Sequence, residues 1–331
     1  PVGTGPFAFE RYDTQQQVVF VAHDGYFRGA PKIDEIDYRL IQADASRELA
    51  FASGELDLIY GKREQRWIDR WAREETAKVD VFWPAEYRTL HLNTTMEPLT
   101  DKRVREAMAR AINVDEIVAF VGEDVGPKGC SVVPSGYLRE DCSAWSYSYD
   151  PEAAKALLAE AGFETGVTIK AVVSSNNAQL PIMEVIQAQL TKVGITLDMQ
   201  VVDHPTYHEM IRDDLSGATF YGAARFPIAD TYLTEFYHSD AIVGKPTAIT
   251  NFSHCDVADD AINTAKTEGD ADAQLAAWSE AQQLIHEQIC SVPLFNLRQV
   301  WLRSAKLDYG YDLEGEMNLA PRITEMTELT E

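Results

Sequence analysis

No run of this 331-residue chain approaches the ~18 consecutive apolar residues that a membrane-spanning helix needs, so no such span is expected. No basic segment followed by an apolar one opens the N-terminus, which reads as the absence of a signal peptide; a trimmed mature chain would look the same. Positive charge is scarce. Lys and Arg total 29 against 53 Asp and Glu, and the resulting net charge of -24 repels phosphate backbones, which excludes nucleic acid as a partner. The four cysteines never stand in C-x-x-C spacing, which disfavours a zinc knuckle or a thioredoxin motif. There is no G-x-S-x-G elbow, no Walker loop, no internal repeat and no low-complexity stretch. The formal G-x-G-x-x-A of Gly3 to Ala8 lacks a strand before it and a helix after it, and Pro6 removes one of the amides that would face a pyrophosphate. No cofactor is expected, and no metal.

What is present is a mixed α/β chain with 45% hydrophobic residues, enough for a large core. Strands are predicted at Gln17 to Ala22 and Ile36 to Ile41, with helices at Ala45 to Ser53 and Arg63 to Arg73. An extended segment from Tyr87 to Asn93 precedes a helix capped by Thr100 or Asp101. Asp150, Pro151, Glu152 and Gly162 mark the start and stop of the clearest helix. A βαβ unit follows: a strand from Val167, a helix from Leu180 to Val193 and a strand from Ile195, parallel by a right-handed crossover. Two late helices, Val257 to Lys266 and Ala271 to Ile289, lead into the extended "SVPLFNLRQVWLR". The two extended segments thus flank an α/β block of domain size, the pattern of an inserted domain joined by a hinge.

Several phrases in order give the chain a resemblance to the extracellular solute-binding proteins of family 5, the peptide, nickel and oligosaccharide receptors of ABC importers. They are "GTGPFAFERYD", "GYFRGAPKIDEIDYRLI", "ASRELAFASGELDLI", "LHLNTTMEPLTDKRVREAMARAINVDEIV", "YDPEAAKALLAEAGF" and "IQAQLTKVGITLDMQVVD". The resemblance implies an α/β, type II periplasmic-binding-protein-like fold of two lobes, with mixed sheets flanked by helices and the first lobe incomplete. Residues 1–90 and 292–331 would build the first lobe and 91–291 the second. Leu90, His91, Leu92, Pro293 and Leu294 would form the hinge. It further implies a monomeric receptor, periplasmic or otherwise extracytoplasmic, that captures a short peptide without chemistry and delivers it to a membrane permease. Metal chelates, opine-like conjugates and oligosaccharides are the alternative ligands, and a hydrolase with a carboxylate pair is the rival of another class.

The segment "YGAARFPIADTYLTEFYHSD" departs from the family, where peptide-binding relatives tend to carry an Asp that pairs with the peptide amino terminus. In an ungapped match that position falls on Arg225, whose planar guanidinium favours a carboxylate. A local gap would instead let Asp230 supply the acidic contact. Tyr221, Phe226 and Tyr232 are candidates for an apolar wall. Asn176 and Asn177, after the first strand of the βαβ unit, are candidate ligand contacts, and Asn177 is the better helix cap. His204 and His208, four apart, could share a helix face, but Pro205 biases His204 toward the cap, against a metal pair. His238 is the one residue that keeps nickel-type ligands in play. Cys130 and Cys142 bracket a loop that a disulfide would restrain, and Cys255 and Cys290 complete the even count of an oxidising compartment.

Overall fold

The structure is a computed structural model that describes residues 3–134, 142–143, 145–223, 229–245, 250–315 and 319–330. The chain runs through β1 (Phe7–Asp13), β2 (Gln17–Ala22), β3 (Glu35–Arg39), α1 (Asp44–Ala52), β4 (Leu58–Tyr60), α2 (Gln65–Trp71) and the long β5 (Ala77–Leu92). It continues through α3 (Lys102–Ala111), α4 (Val114–Val121), α5 (Pro151–Glu160), β6 (Val167–Ser174), α6 (Leu180–Thr191), β7 (Ile195–Val202), α7 (His204–Arg212), β8 (Ala218–Ala223) and α8 (Ala229–Tyr237). It ends with α9 (Asp259–Thr267), α10 (Ala271–Gln288), β9 (Ser291–Ser304), β10 (Leu307–Asp308) and β11 (Glu328–Leu329). Two compact units result, residues 1–84 with 298–331 and residues 85–297. Strands β5 and β9 each run from one unit into the other.

In the smaller unit β1, β2 and β3 form an antiparallel meander whose β1–β2 register slips between Phe9 and Arg11. The opening glycines therefore lead into a hairpin strand and not into a phosphate-binding helix. β4 pairs antiparallel with the far end of β9, Tyr60 opposite Trp301. Phe51, Trp67 and Trp71 bury the inner faces of α1 and α2 as an aromatic cluster, with ring centroids 5.4 Å apart for Phe51 and Trp71.

The larger unit contains the parallel pair β6–β7, in register from Val167 opposite Ile195 to Ser174 opposite Val202, with α6 as the crossover. The turn into β6 brings two backbones together. A Cβ on Gly166, whose φ is +101°, would lie 2.9 Å from the Gly194 carbonyl oxygen, so only glycine fits. Helix α5 starts as its sequence dictates: the Asp150 side chain accepts from the Ala153 N–H, and Pro151 occupies the first turn. Asp101 caps α3, and Asp270 caps α10. β8 pairs antiparallel with β5 from Tyr87 opposite Ala223 to Leu92 opposite Ala218. On the other edge of β5, Thr89 Oγ1 donates to the Val292 carbonyl. Helices α8, α9 and α10 cover a core that includes Tyr232, Tyr237, Ile262 and Trp278.

Disulfides join Cys130 to Cys142 and Cys255 to Cys290. Two local expectations are corrected. His204 is not the cap of α7 but its first residue; Asp203 caps it, accepting from the Thr206 N–H, because Pro205 fits a first turn that needs no N–H there. The side chain that closes the turn before α6 is that of Asn176, which accepts from the Ala178 N–H at 3.2 Å, and not that of Asn177.

Candidate functional site

A polar cavity of about 290 Å³ opens within the larger unit where four elements converge. Strand β5 contributes Glu86 and Arg88, which lie two residues apart and so share one side of the strand. The loop at the carboxyl end of β6 brings Asn176 and Gln179, the first turns of α7 bring His204 and His208, and β8 brings Tyr221 and Gly222. The carboxyl end of a parallel strand is where open α/β sheets present loops to ligands.

Arg88 is only 8% exposed. Its guanidinium makes a tight ion pair with the Glu86 carboxylate, and its Cζ lies 5.9 Å from the Phe220 ring centroid. Directly opposite Arg88 on β8 stands Gly222. A Cβ there would lie 2.7 Å from Arg88 Cδ, so the absent side chain leaves the shelf on which the arginine rests. A charged pair held this far out of water is costly to assemble and specific in what it accepts.

The two imidazoles form a relay and not a metal clamp. Asn176 already uses its Oδ1 on Ala178, so its Nδ2 donates to His204 Nδ1 at 3.1 Å, beside Ser174 Oγ at 3.0 Å. That assignment leaves His204 Nε2–H to donate to His208 Nε2 at 3.2 Å. Burial, then His204 and Arg212, hold the His208 pKa below its usual value, so His208 is neutral near pH 7. Among the described residues no cluster of three metal-capable side chains exists. Glu86 is the one carboxylate among the described residues that line this cavity, so a carboxylate pair of the hydrolase kind is not found there.

Of the residues singled out in the sequence, Asn176, His204, His208 and Tyr221 line the cavity. The Tyr221 ring packs on Phe252 at 4.9 Å and Phe236 at 5.9 Å. Tyr232 is buried, its hydroxyl donating to the Ala223 carbonyl at 3.0 Å. Asp230 lies in the first turn of α8, with Oδ1 buried and without a hydrogen-bond partner among the described residues. Arg225 and Phe226 lie outside the described residues. Leu90, His91, Leu92, Pro293 and Leu294 are all buried in β5 and β9 inside the larger unit. His238 is also buried and caps a short 3-10 turn, accepting from the Asp240 N–H at 3.1 Å. Sequence reasoning passed over Glu86 and Arg88. The available signal was a charged pair at i, i+2 in the otherwise apolar extended stretch "EYRTLHL".

His91 carries a pH dependence. Burial among Phe236, Tyr237 and Phe252 pushes its pKa down to about 3. The unfolded chain takes up this proton first, so the stability is complete above about pH 6.5 and falls as pH drops toward 3. By pH 5 the loss from this one group is about 2 kcal/mol. Urea unfolding at pH 7 and pH 5 is expected to show that loss in the wild type and a much smaller one in His91→Phe. An equal acid loss in both proteins would assign it elsewhere.

The chain belongs to the family described as bacterial extracellular solute-binding proteins, family 5, whose middle-region model matches residues 1–243. Its fold is the two-lobe fold of periplasmic binding proteins. The chain is 46% identical to the solved binding protein MoaA of A. tumefaciens in complex with mannopinic acid, covering all of this chain and 67% of that one with a TM-score of 0.86. It is 26% identical to the ABC transporter-associated periplasmic binding protein DppA of Helicobacter pylori in complex with the peptide STSA, with a TM-score of 0.80 and 64% of that chain covered. Di/tripeptide-binding protein 2 of Pseudomonas aeruginosa is 28% identical over 307 residues, 89% of this chain and 56% of the relative. Heme-binding protein A of Haemophilus influenzae is 27% identical over 302 residues, with 54% of the relative covered. The chain thus spans a little over half the length of these curated relatives.

Proposed function

We propose that the chain serves in the solute-binding receptor of an ABC importer, outside the cytoplasmic membrane, and captures a small polar acid of the opine type for delivery to a permease. It binds and releases its solute unchanged and acts as a monomer. The observation that carries this reading is the cavity wall: a buried guanidinium, a hydrogen-bonded imidazole pair and amide and phenol groups converge where a small ligand fits, with Glu86 the one carboxylate among the described lining residues. The 46% identity to a protein that holds mannopinic acid supports the opine class over the short peptides named for the more distant relatives. In this reading β5 and β9, which carry Leu90, His91, Leu92, Pro293 and Leu294, are the double passage about which the units swing. Closure follows only from a solute's higher affinity for the closed state.

The test is thermal and urea unfolding of the full-length protein with mannopinic acid, a dipeptide and a nickel chelate in parallel. A true ligand at a hundred times its dissociation constant adds about 2.7 kcal/mol. Mannopinic acid is expected to give that gain and the dipeptide and chelate none. Stabilisation by the dipeptide alone would return the receptor to the peptide class.

A further inference from the structure

We propose that the Glu86–Arg88 pair reads the solute's head group as a zwitterion, a basic amine on the carbon next to a carboxylate. The proposal rests on the solute-binding reading and specifies the chemistry it demands. The two side chains emerge on the same side of β5, two residues apart, and meet in an ion pair at the cavity wall. Their side chains are only 22% and 10% exposed. Phe220 and the shelf at Gly222 hold the guanidinium in place.

A solute with only a carboxylate meets Arg88 but also the like charge of Glu86. A solute with only an amine meets the reverse. In a half-dry wall, either leaves one protein charge opposed or unpaired, which costs more than the contact gains. A group with both charges one carbon apart pairs each with its opposite and keeps the wall neutral. A peptide does not offer this, because at least one peptide unit, with Cα atoms about 3.8 Å apart, separates its amine from its carboxylate. An N-substituted amino acid does, and its substituent meets the hydrogen-bonding groups of His204, His208, Asn176 and Tyr221, which suit hydroxyl groups.

The experiment is isothermal titration of the full-length protein with mannopinic acid and with the same compound acetylated on its nitrogen, so that the amine is no longer basic. The wild type is expected to bind the acetylated compound about 30-fold or more weakly. Glu86→Gln, nearly isosteric, is expected to close that gap to about threefold by lowering affinity for the amine alone, and Arg88→Met to weaken both compounds. Equal binding of the two by the wild type, or a gap that survives Glu86→Gln, overturns the zwitterion proposal and leaves the receptor reading standing. A wild type that binds neither compound but binds a dipeptide overturns both.

Discussion

Replacing Cys255 and Cys290 together by alanine is expected to cost the larger unit about 4 kcal/mol. The bridge spans a sequence separation of 35, and the chain entropy it removes from the unfolded state grows with that length. The Cys130–Cys142 bridge spans 12 and is expected to contribute about 3 kcal/mol. The longer bridge also holds a junction with few substitutes. Cys290 sits between the end of α10 and the start of β9, directly after Ile289, a β-branched residue in the left-handed region at φ +53°. At the other end, the Asn251 side-chain amide donates to the carbonyls of Cys255 and His238 at 2.8 and 3.0 Å, gathering the preceding loop around the cysteine. Both sulfur-bearing residues are buried, so a reductant reaches them only through unfolding. Urea unfolding followed by the fluorescence of the buried Trp278 reads the loss. A cost below about 1 kcal/mol would mean that packing alone holds the loop, and the entropic account of this bridge would fail.

The parts of the fold legible in the sequence are those whose signals are local. Asp150, Pro151 and Gly162 bound α5, and Gly194 separates α6 from β7, because caps and left-handed turns act within a few residues of themselves. Strand β5 was read only from Tyr87 onward, although it begins at Ala77. Pro84 and the scattered charges of "AKVDVFWPAEY" argue against a strand until β9, the neighbour of β5 in the four-stranded sheet, pairs with it from far along the chain. The site divided the same way. Asn176 and Tyr221 could be placed by their position at strand ends and beside an aromatic segment. Arg88 could not, because its burial is made across the sheet by Gly222, and a charged residue on an alternating strand reads as a solvent-facing one. The spacing of His204 and His208 gave their shared face correctly. Their chemistry depends on Ser174 and Asn176, about thirty residues earlier and on another element, which no spacing rule includes.

Arg105→Met is expected to cost about 3–5 kcal/mol, although the hydrogen bonds of Arg105 among the described residues all go to carbonyls and none to a carboxylate. It stands within "TDKRVREAMARAINVDEIV", one of the phrases that carry the family resemblance, and is 4% exposed in α3. Its guanidinium Nε and Nη2 both donate to the Gln288 carbonyl, at 3.1 and 2.8 Å, and Nη1 donates to the carbonyls of Leu99 at 2.7 Å and Thr100 at 3.2 Å. Gln288 is the last residue of α10, where carbonyls lack helical partners and the helix dipole favours a cation. Burial lowers the Arg105 pKa, partly offset by Asp101, but the group keeps its proton and its fork. Methionine fills much of the stem's volume and leaves three carbonyls without their donor, which is where the cost arises. Lysine restores the charge but not the planar fork and is expected to recover less than half of the loss. Because Gln288 and Cys290 belong to one junction, the loss from Arg105→Met and the loss from the Cys255/Cys290 double replacement should not add. Once either fastening is gone, the α10–β9 corner is already loosened, and the combined variant is expected to fall short of the sum by about 1 kcal/mol or more. Strict additivity in the same urea measurement would show that the two contacts hold separate parts of the unit.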